Sequence, residues 1–112
     1  MKGSHLGEFQ EIVLLTIMLL NENAYGVSIK RAIKVRANLT ISRGALHTAL
    51  TRLEEKGLIT SWQGEANKDR GGMRKRYYKV NDTGAAALRE AKELRDNLWS
   101  EIPELNLQHN YV

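Results

Sequence analysis

Cysteine is absent from this 112-residue chain. Disulfides and thiolate metal sites are thereby excluded, and a reducing, cytoplasmic home is the expectation. Long apolar runs are scarce as well: the longest, Ile12 to Leu20 with Thr16 inside it, falls far short of the roughly 18 residues that a bilayer span requires. No membrane partner is expected. The opening residues lack the basic, apolar and small-residue order of a secretory signal, and residues 1–7 read as a tail whose first part, Met1 to His5, reads equally well as an expression remnant. Also missing is any clustering of groups suited to catalysis. His5, His47 and His109 lie far apart in sequence, no metal-spaced set occurs, and Gly71-Gly72 is not followed by the Lys-Ser or Lys-Thr of a phosphate-cradling loop. The expectation is a protein that is not an enzyme and holds neither metal nor cofactor. No internal repeat or low-complexity tract interrupts the chain.

What is present fits a single small domain. The residues are 42% apolar, enough for a modest core, and 17 Lys and Arg stand against 13 Asp and Glu, a formal +4 that tilts the choice of partner toward polyanions. Phe9, Ile12, Val13, Leu14, Ile17, Leu19 and Leu20 predict a helix over 8–21 that is apolar around most of its circumference and so buried on two sides. After a break at Asn21-Glu22-Asn23, residues Tyr25, Ile29, Ala32 and Ile33 predict a second helix of about twelve residues, with Lys30, Arg31 and Lys34 opposite and Asn38 at its end. Leu39-Thr40-Ile41 is an extended connection into Ser42, a good N-cap. Leu46, Ala49, Leu50 and Leu53 then keep helical spacing as far as Lys56-Gly57, where the glycine reads as a stop. The period changes next: Leu58 to Trp62 and Arg76 to Val80 are rich in β-branched and aromatic residues, and the polar stretch between them carries Gly64, Gly71 and Gly72, so a hairpin is expected. Asp82 or Thr83 caps a last long helix, striped by Ala87, Leu88, Ala91, Leu94, Leu98 and Ile102 and closed by Pro103. Three helices, a hairpin and a helix make a mainly α (α+β) fold, a winged helix-turn-helix with a long C-terminal dimerisation helix.

In such a plan the third helix enters the major groove and the hairpin flanks it. The leucine stripe leaves Ser42, Arg43, His47, Thr48 and Arg52 on other faces of that helix, where hydroxyls can donate to phosphates and arginine can bridge the O6 and N7 acceptors of guanine. Gly44 allows close approach. Since any exposed helix face can carry such residues, the hairpin supplies the second observation: Arg70, Arg74, Lys75, Arg76 and Lys79 follow one another with no acid among them. Solvated faces mix both signs, whereas cations beside glycines and aromatics suit a loop lying against phosphates. Arg70-Gly71-Gly72 is the expected tip, with Arg70 aimed at the minor groove, while Arg74 to Arg76 begin the return strand and alternate faces. Of Tyr77 and Tyr78, one packs under the wing and the other faces outward, or both simply stabilise the strand pair. Double-stranded DNA is the expected partner.

Leu6-Gly7-Glu8-Phe9-Gln10, Ala24-Tyr25-Gly26, the run from Ser42 to Leu50, the run from Arg52 to Leu58, and Arg70-Gly71-Gly72 leading into Arg74-Lys75-Arg76-Tyr77-Tyr78 together resemble the PadR family of bacterial transcription regulators. The resemblance covers roughly Leu6 to Leu98, and the chain is similar to the smaller members with one C-terminal helix. The family usually has Tyr where this chain has His47. What the resemblance implies is a winged-helix repressor, dimeric through its C-terminal helix and often its first, that binds a palindromic operator and in some members is released by a small phenolic or drug-like ligand. Dimerisation also follows from the residues: a helix of about twenty residues whose apolar stripe ends in Leu94, Leu98 and Trp99 needs a partner surface, and a second copy is the simplest one. Leu88, Ala91, Leu94, Arg95, Leu98 and Trp99 form the expected interface, placing the recognition helices about 34 Å apart or somewhat less. Trp99 has two readings, an anchor packed on the partner chain or, as the resemblance suggests, a platform on which a planar aromatic or drug-like effector stacks. The expected organisation is a tail over 1–7, a DNA-binding domain over 8–81, a dimerisation helix over 82–103 and a C-terminal tail over 104–112. The alternative is a winged module serving a protein or RNA partner without regulating an operator, its basic hairpin only solubilising.

Overall fold

A computed structural model describes residues 6–65 and 74–104. Within them the chain runs α1 (Glu8–Leu20), α2 (Gly26–Ala37), α3 (Arg43–Glu55), β1 (Ile59–Gln63), β2 (Arg76–Val80) and α4 (Asp82–Ser100), with one 3-10 turn, Asn21–Asn23, between α1 and α2. This is the winged helix-turn-helix with a long C-terminal helix.

Most of the helix ends before the hairpin have a local cause. Glu8 and Glu11 place negative charge in the first turn of α1, where the helix dipole favours it. Ahead of α2, the Tyr25 N–H donates to Ser28 Oγ at 3.0 Å, and that hydroxyl donates to the Asn23 carbonyl at 2.6 Å. Asn38 ends α2 at φ 52°, a left-handed conformation that asparagine tolerates better than most residues. Ser42 caps α3, its Oγ accepting the Ala45 N–H at 3.0 Å. Gly57 stops α3 at φ 75°: its N–H donates to Glu54 O, and the Leu58 N–H reaches back to Leu53 O at 3.0 Å, so the Leu53 and Glu54 carbonyls are paired.

The start of α4 differs from expectation. Asn81, rather than Asp82 or Thr83, is the cap, its Oδ1 accepting the Gly84 N–H at 2.9 Å. The same side chain donates through Nδ2 to Gly57 O at 2.8 Å, and its backbone N–H donates to Leu58 O at 3.1 Å. Gly84 lies so close beneath this junction that a Cβ there would collide with the Leu58 carbonyl oxygen. The helix ends at Ser100, ahead of Pro103.

The core gathers Val13, Leu14 and Ile17 of α1, Ile29 and Ile33 of α2, the Leu46 to Leu53 stripe of α3, Ile59 and Tyr78 of the hairpin, and Ala87 and Leu88 of α4. Burying each large aliphatic side chain contributes about 1.5–3 kcal/mol. The buried Thr16 hydroxyl is satisfied within its own helix by donating to Ile12 O at 2.7 Å. Contrary to the composition of α1, only one side of it is covered among the described residues: Leu15, Met18 and Leu19 are half exposed.

β1 and β2 pair antiparallel, with Ile59 opposite Val80 and Gln63 opposite Arg76. The sheet begins at Ile59 because Leu58 is spent on the turn after α3, and Arg74 and Lys75 precede β2 instead of opening it. Two further bonds seat the hairpin, Gly64 N–H to Lys75 O at 2.8 Å and Tyr78 N–H to Ala24 O at 2.9 Å. Through the second, the segment leading into α2 joins the sheet edge.

Candidate nucleic-acid interface

Successive residues of an α-helix turn by about 100°. With Leu46, Ala49, Leu50 and Leu53 of α3 buried, the opposite sector is fixed: Gly44, Thr48, Thr51 and, in the last turn, Glu55 lie at its middle, with His47 and Arg52 flanking them and Arg43 on the edge, all exposed. Thr51 is the member that the leucine stripe alone did not single out, although its spacing of three from Thr48 and four from His47 carries the signal. Acidic side chains on α3 begin only at Glu54. At the start of the helix Ser42 satisfies one N–H, and those of Arg43 and Gly44 have no intrahelical acceptor, so an exposed, electropositive helix end adjoins the polar face. A Cβ on Gly44 would meet nothing within 4 Å, so nothing in the packing of the chain itself demands glycine there.

An open groove runs along each side of this face. Toward α2, Arg43 and His47 share a groove of about 500 Å³ with Gly26, Val27 and Lys30, over a floor of Leu46, Leu50 and Tyr78. Toward α1, Thr48 and Arg52 share one of about 550 Å³ with Phe9 and Gln10, where Lys56 Nζ donates to Gln10 Oε1 at 3.0 Å.

The wing divides its cations into two groups. Arg74 and Lys79 are exposed. Lys75 places its Nζ 4.1 Å from the centre of the Tyr25 ring, a cation–π contact. Arg76 donates from Nε to Ser61 Oγ at 3.0 Å, and that hydroxyl donates to Glu54 Oε2 at 2.8 Å, so part of the Arg76 charge is answered within the chain. The basic cluster is therefore less uniform than its sequence, and Arg70 lies outside the described residues. Tyr78 is the tyrosine beneath the wing: burial raises its phenol above the ordinary value, with Arg76 opposing and Glu54 assisting. Tyr77, on the other face, stacks on Trp62 at 5.9 Å and meets Tyr25 edge-on at 5.6 Å.

A second surface is apolar. Leu94, Leu98 and Trp99 of α4 are 46%, 59% and 60% exposed, and Leu15, Met18 and Leu19 of α1 add to the exposed large hydrophobics. Arg95 of α4 grips Glu11 of α1 with both carboxylate oxygens, at 2.6 and 2.7 Å. Leu88, expected at an interface between chains, is instead buried in the chain's own core, and Ala91 is half-buried.

Among the described residues, no group of three or more His, Cys, Asp and Glu could hold a metal ion, and no helix is long and apolar enough to cross a membrane. The family model described as transcriptional regulator PadR-like family matches residues 14–90. No curated protein matches the chain. Among solved structures, a PadR family transcription regulator from Clostridium difficile R20291 is similar at 25% identity and a TM-score of 0.67, over 82% of this chain and 92% of that one. A transcriptional regulator from Clostridium thermocellum is similar at 25% identity and 0.64, over 85% and 92%. A PadR family transcriptional regulator from Eggerthella lenta is similar at 25% identity and 0.64, over 83% and 80%.

Proposed function

Because the chain belongs to the PadR-like family of transcriptional regulators, and so acts in DNA-binding regulation rather than catalysis, we propose that it is a repressor that binds a palindromic operator as a homodimer. The observation that carries this reading is the outward sector of α3 from Arg43 to Arg52, six exposed positions with no acid ahead of Glu55, set between two grooves; the exposed Arg74 of the wing adds a cation. In this reading the N-terminal turns of α3 lie in the major groove. Arg43 reads guanine edges, Ser42, His47, Thr48 and Arg52 contact bases or phosphates, and Gly44 lets the backbone come close. Arg74, Lys75 and Arg76 hold the flanking phosphates, with Arg74 dominant because the other two already have partners in the chain.

Residues 8–81 would read DNA and 82–103 would join two copies, the interface falling on Ala91, Leu94, Arg95, Leu98 and Trp99 together with the exposed side of α1. Covering exposed leucines and a tryptophan with a second copy removes apolar surface from water, the term that drives most association. Trp99 would anchor that interface; in the other reading it is the platform on which a planar aromatic effector stacks to release the operator. The place of action is the cytoplasm.

Selection of bound duplexes from a random DNA pool at near-physiological salt tests the reading. An enriched palindrome is the expected result. Retention without enrichment, abolished by added salt, would leave a non-specific or protein-directed winged module instead.

A further inference from the structure

Strand register brings a hydroxyl, a cation and an acid together at the root of the wing. Ser61 lies opposite Tyr78 in the hairpin, and Arg76, two residues before Tyr78, shares its face. That face is turned inward, because Ile59 and Tyr78 on it are buried in the core. Across a strand pair, a long side chain reaches its diagonal neighbour. Arg76 does so, donating from Nε to Ser61 Oγ at 3.0 Å, and Ser61 passes the bond on by donating to Glu54 Oε2 of α3 at 2.8 Å. A hydroxyl suits the middle place because it accepts and donates at once. Arg76 makes no ion pair with a carboxylate among the described residues, so Glu54 acts on it through Ser61.

We propose that Ser61 and Glu54 are positioning residues for DNA binding: they fix Arg76 by its Nε, and the two terminal nitrogens are thereby presented, already aimed, to a phosphate of the duplex. The proposal rests on the DNA-binding reading given above. An unheld arginine gives up rotamer freedom when it grips a phosphate, and a guanidinium fixed beforehand gives up less. Bonds with a charged group at one end are stronger than neutral ones, and both bonds of this relay are of that kind. The relay also accounts for an acid at the wing end of α3: the Ser61 proton is turned onto the carboxylate, whose charge orients a cation. Phosphates are alike at every site, so the grip adds equally to every duplex and leaves discrimination to α3.

The test compares three changes. Ser61→Ala removes the hydroxyl without altering charge, Ser61→Thr keeps it in a residue that suits a strand, and Arg76→Gln removes the cation. Each is titrated by anisotropy, as the full chain, on the selected operator and on a scrambled duplex across a series of KCl concentrations. Arg76→Gln is expected to lower the slope of log affinity against log salt by about 0.9 for each phosphate it no longer neutralises. Ser61→Ala should weaken both duplexes by the same factor, about 3- to 10-fold, while Ser61→Thr binds as wild type. Once Arg76→Gln is present, Ser61→Ala should have no effect. Glu54→Gln keeps the test readable if Ser61→Ala does not fold: made with and without Arg76→Gln, it changes net charge equally in both, and binding should be weaker by the same 3- to 10-fold only where Arg76 remains. A wild-type slope in Arg76→Gln overturns the proposal, as do equal losses for Ser61→Ala and Ser61→Thr or a loss that survives without Arg76. Tighter binding by Ser61→Ala overturns it too, since the relay would then withhold Arg76 from the duplex. Wild-type protein that retains no duplex at all would instead sink the DNA-binding reading itself.

Discussion

On α3 the buried stripe faces the core and the outward sector holds hydroxyls, a histidine and arginines; on the second half of α4 the outward sector holds Leu94, Leu98 and Trp99. Both helices are amphipathic, yet water completes only one of them. Exposed hydroxyls and guanidinium groups are already hydrated and trade that hydration for contacts with a charged, wet partner, whereas exposed leucines gain by leaving water altogether. Two surfaces of one small chain therefore suit partners of opposite chemistry.

The contrast is sharpest in stability. Leu53→Ala, at a position with 0% exposure, is expected to cost about 2–5 kcal/mol in urea denaturation. At low protein concentration Leu98→Ala should cost less than about 0.5 kcal/mol, but it should weaken the rise of stability with concentration. Equal losses for the two would erase the distinction. Assembly comes next: Leu94→Asp combined with Leu98→Asp should sediment as a folded monomer with reduced operator affinity, and a wild-type chain already monomeric at micromolar concentration would remove the role given to α4. Within the surface proposed to face DNA, Arg43→Ala should lose about 1–3 kcal/mol of discrimination at one base-pair position while a scrambled duplex binds nearly as before. Arg74→Ala should instead weaken every duplex and take about 1 off the salt slope. Smaller still is Glu11→Gln, which breaks a partly exposed pair with Arg95 and should cost less than about 1 kcal/mol in thermal unfolding.

A pH dependence closes the series. Burial holds the Tyr78 phenol protonated above its ordinary value of 10.0. The unfolded chain therefore releases this proton first, so the contribution is intact below pH 10 and is lost as pH rises past that value toward the raised one. Tyr78→Phe should flatten this part of the alkaline unfolding curve.

The elements were legible in the sequence because their signals are local: the leucine stripe of α3, the Ser42 cap, the Gly57 stop and the change of period at the hairpin. Asn81 was not, since Asn81, Asp82 and Thr83 are all competent caps and the choice is made by a contact with Gly57, 24 positions away. The α3 side of the candidate site could be read from spacing, apart from Thr51. The partners of Lys75 and Arg76 could not, because they depend on strand register and on where Tyr25 and Glu54 come to lie. Leu88 looked outward for a related reason: its stripe is continuous with Leu94 and Leu98, and only the packing of the first turns of α4 on the core separates them.

Asn81 is the single residue between β2 and α4, and it is pinned on both sides. Mechanically, α4 is then a rod clamped at the end stop of α3 and stayed farther along by the Arg95–Glu11 pair. A rod of 19 residues is about 28 Å long, so a tilt of only about 5° at the clamp sweeps its tip through about 2.5 Å. A partner that gripped the Leu98–Trp99 end would thus hold the far end of a stiff shank, and small changes of angle at the clamp would be read there as displacements of ångströms.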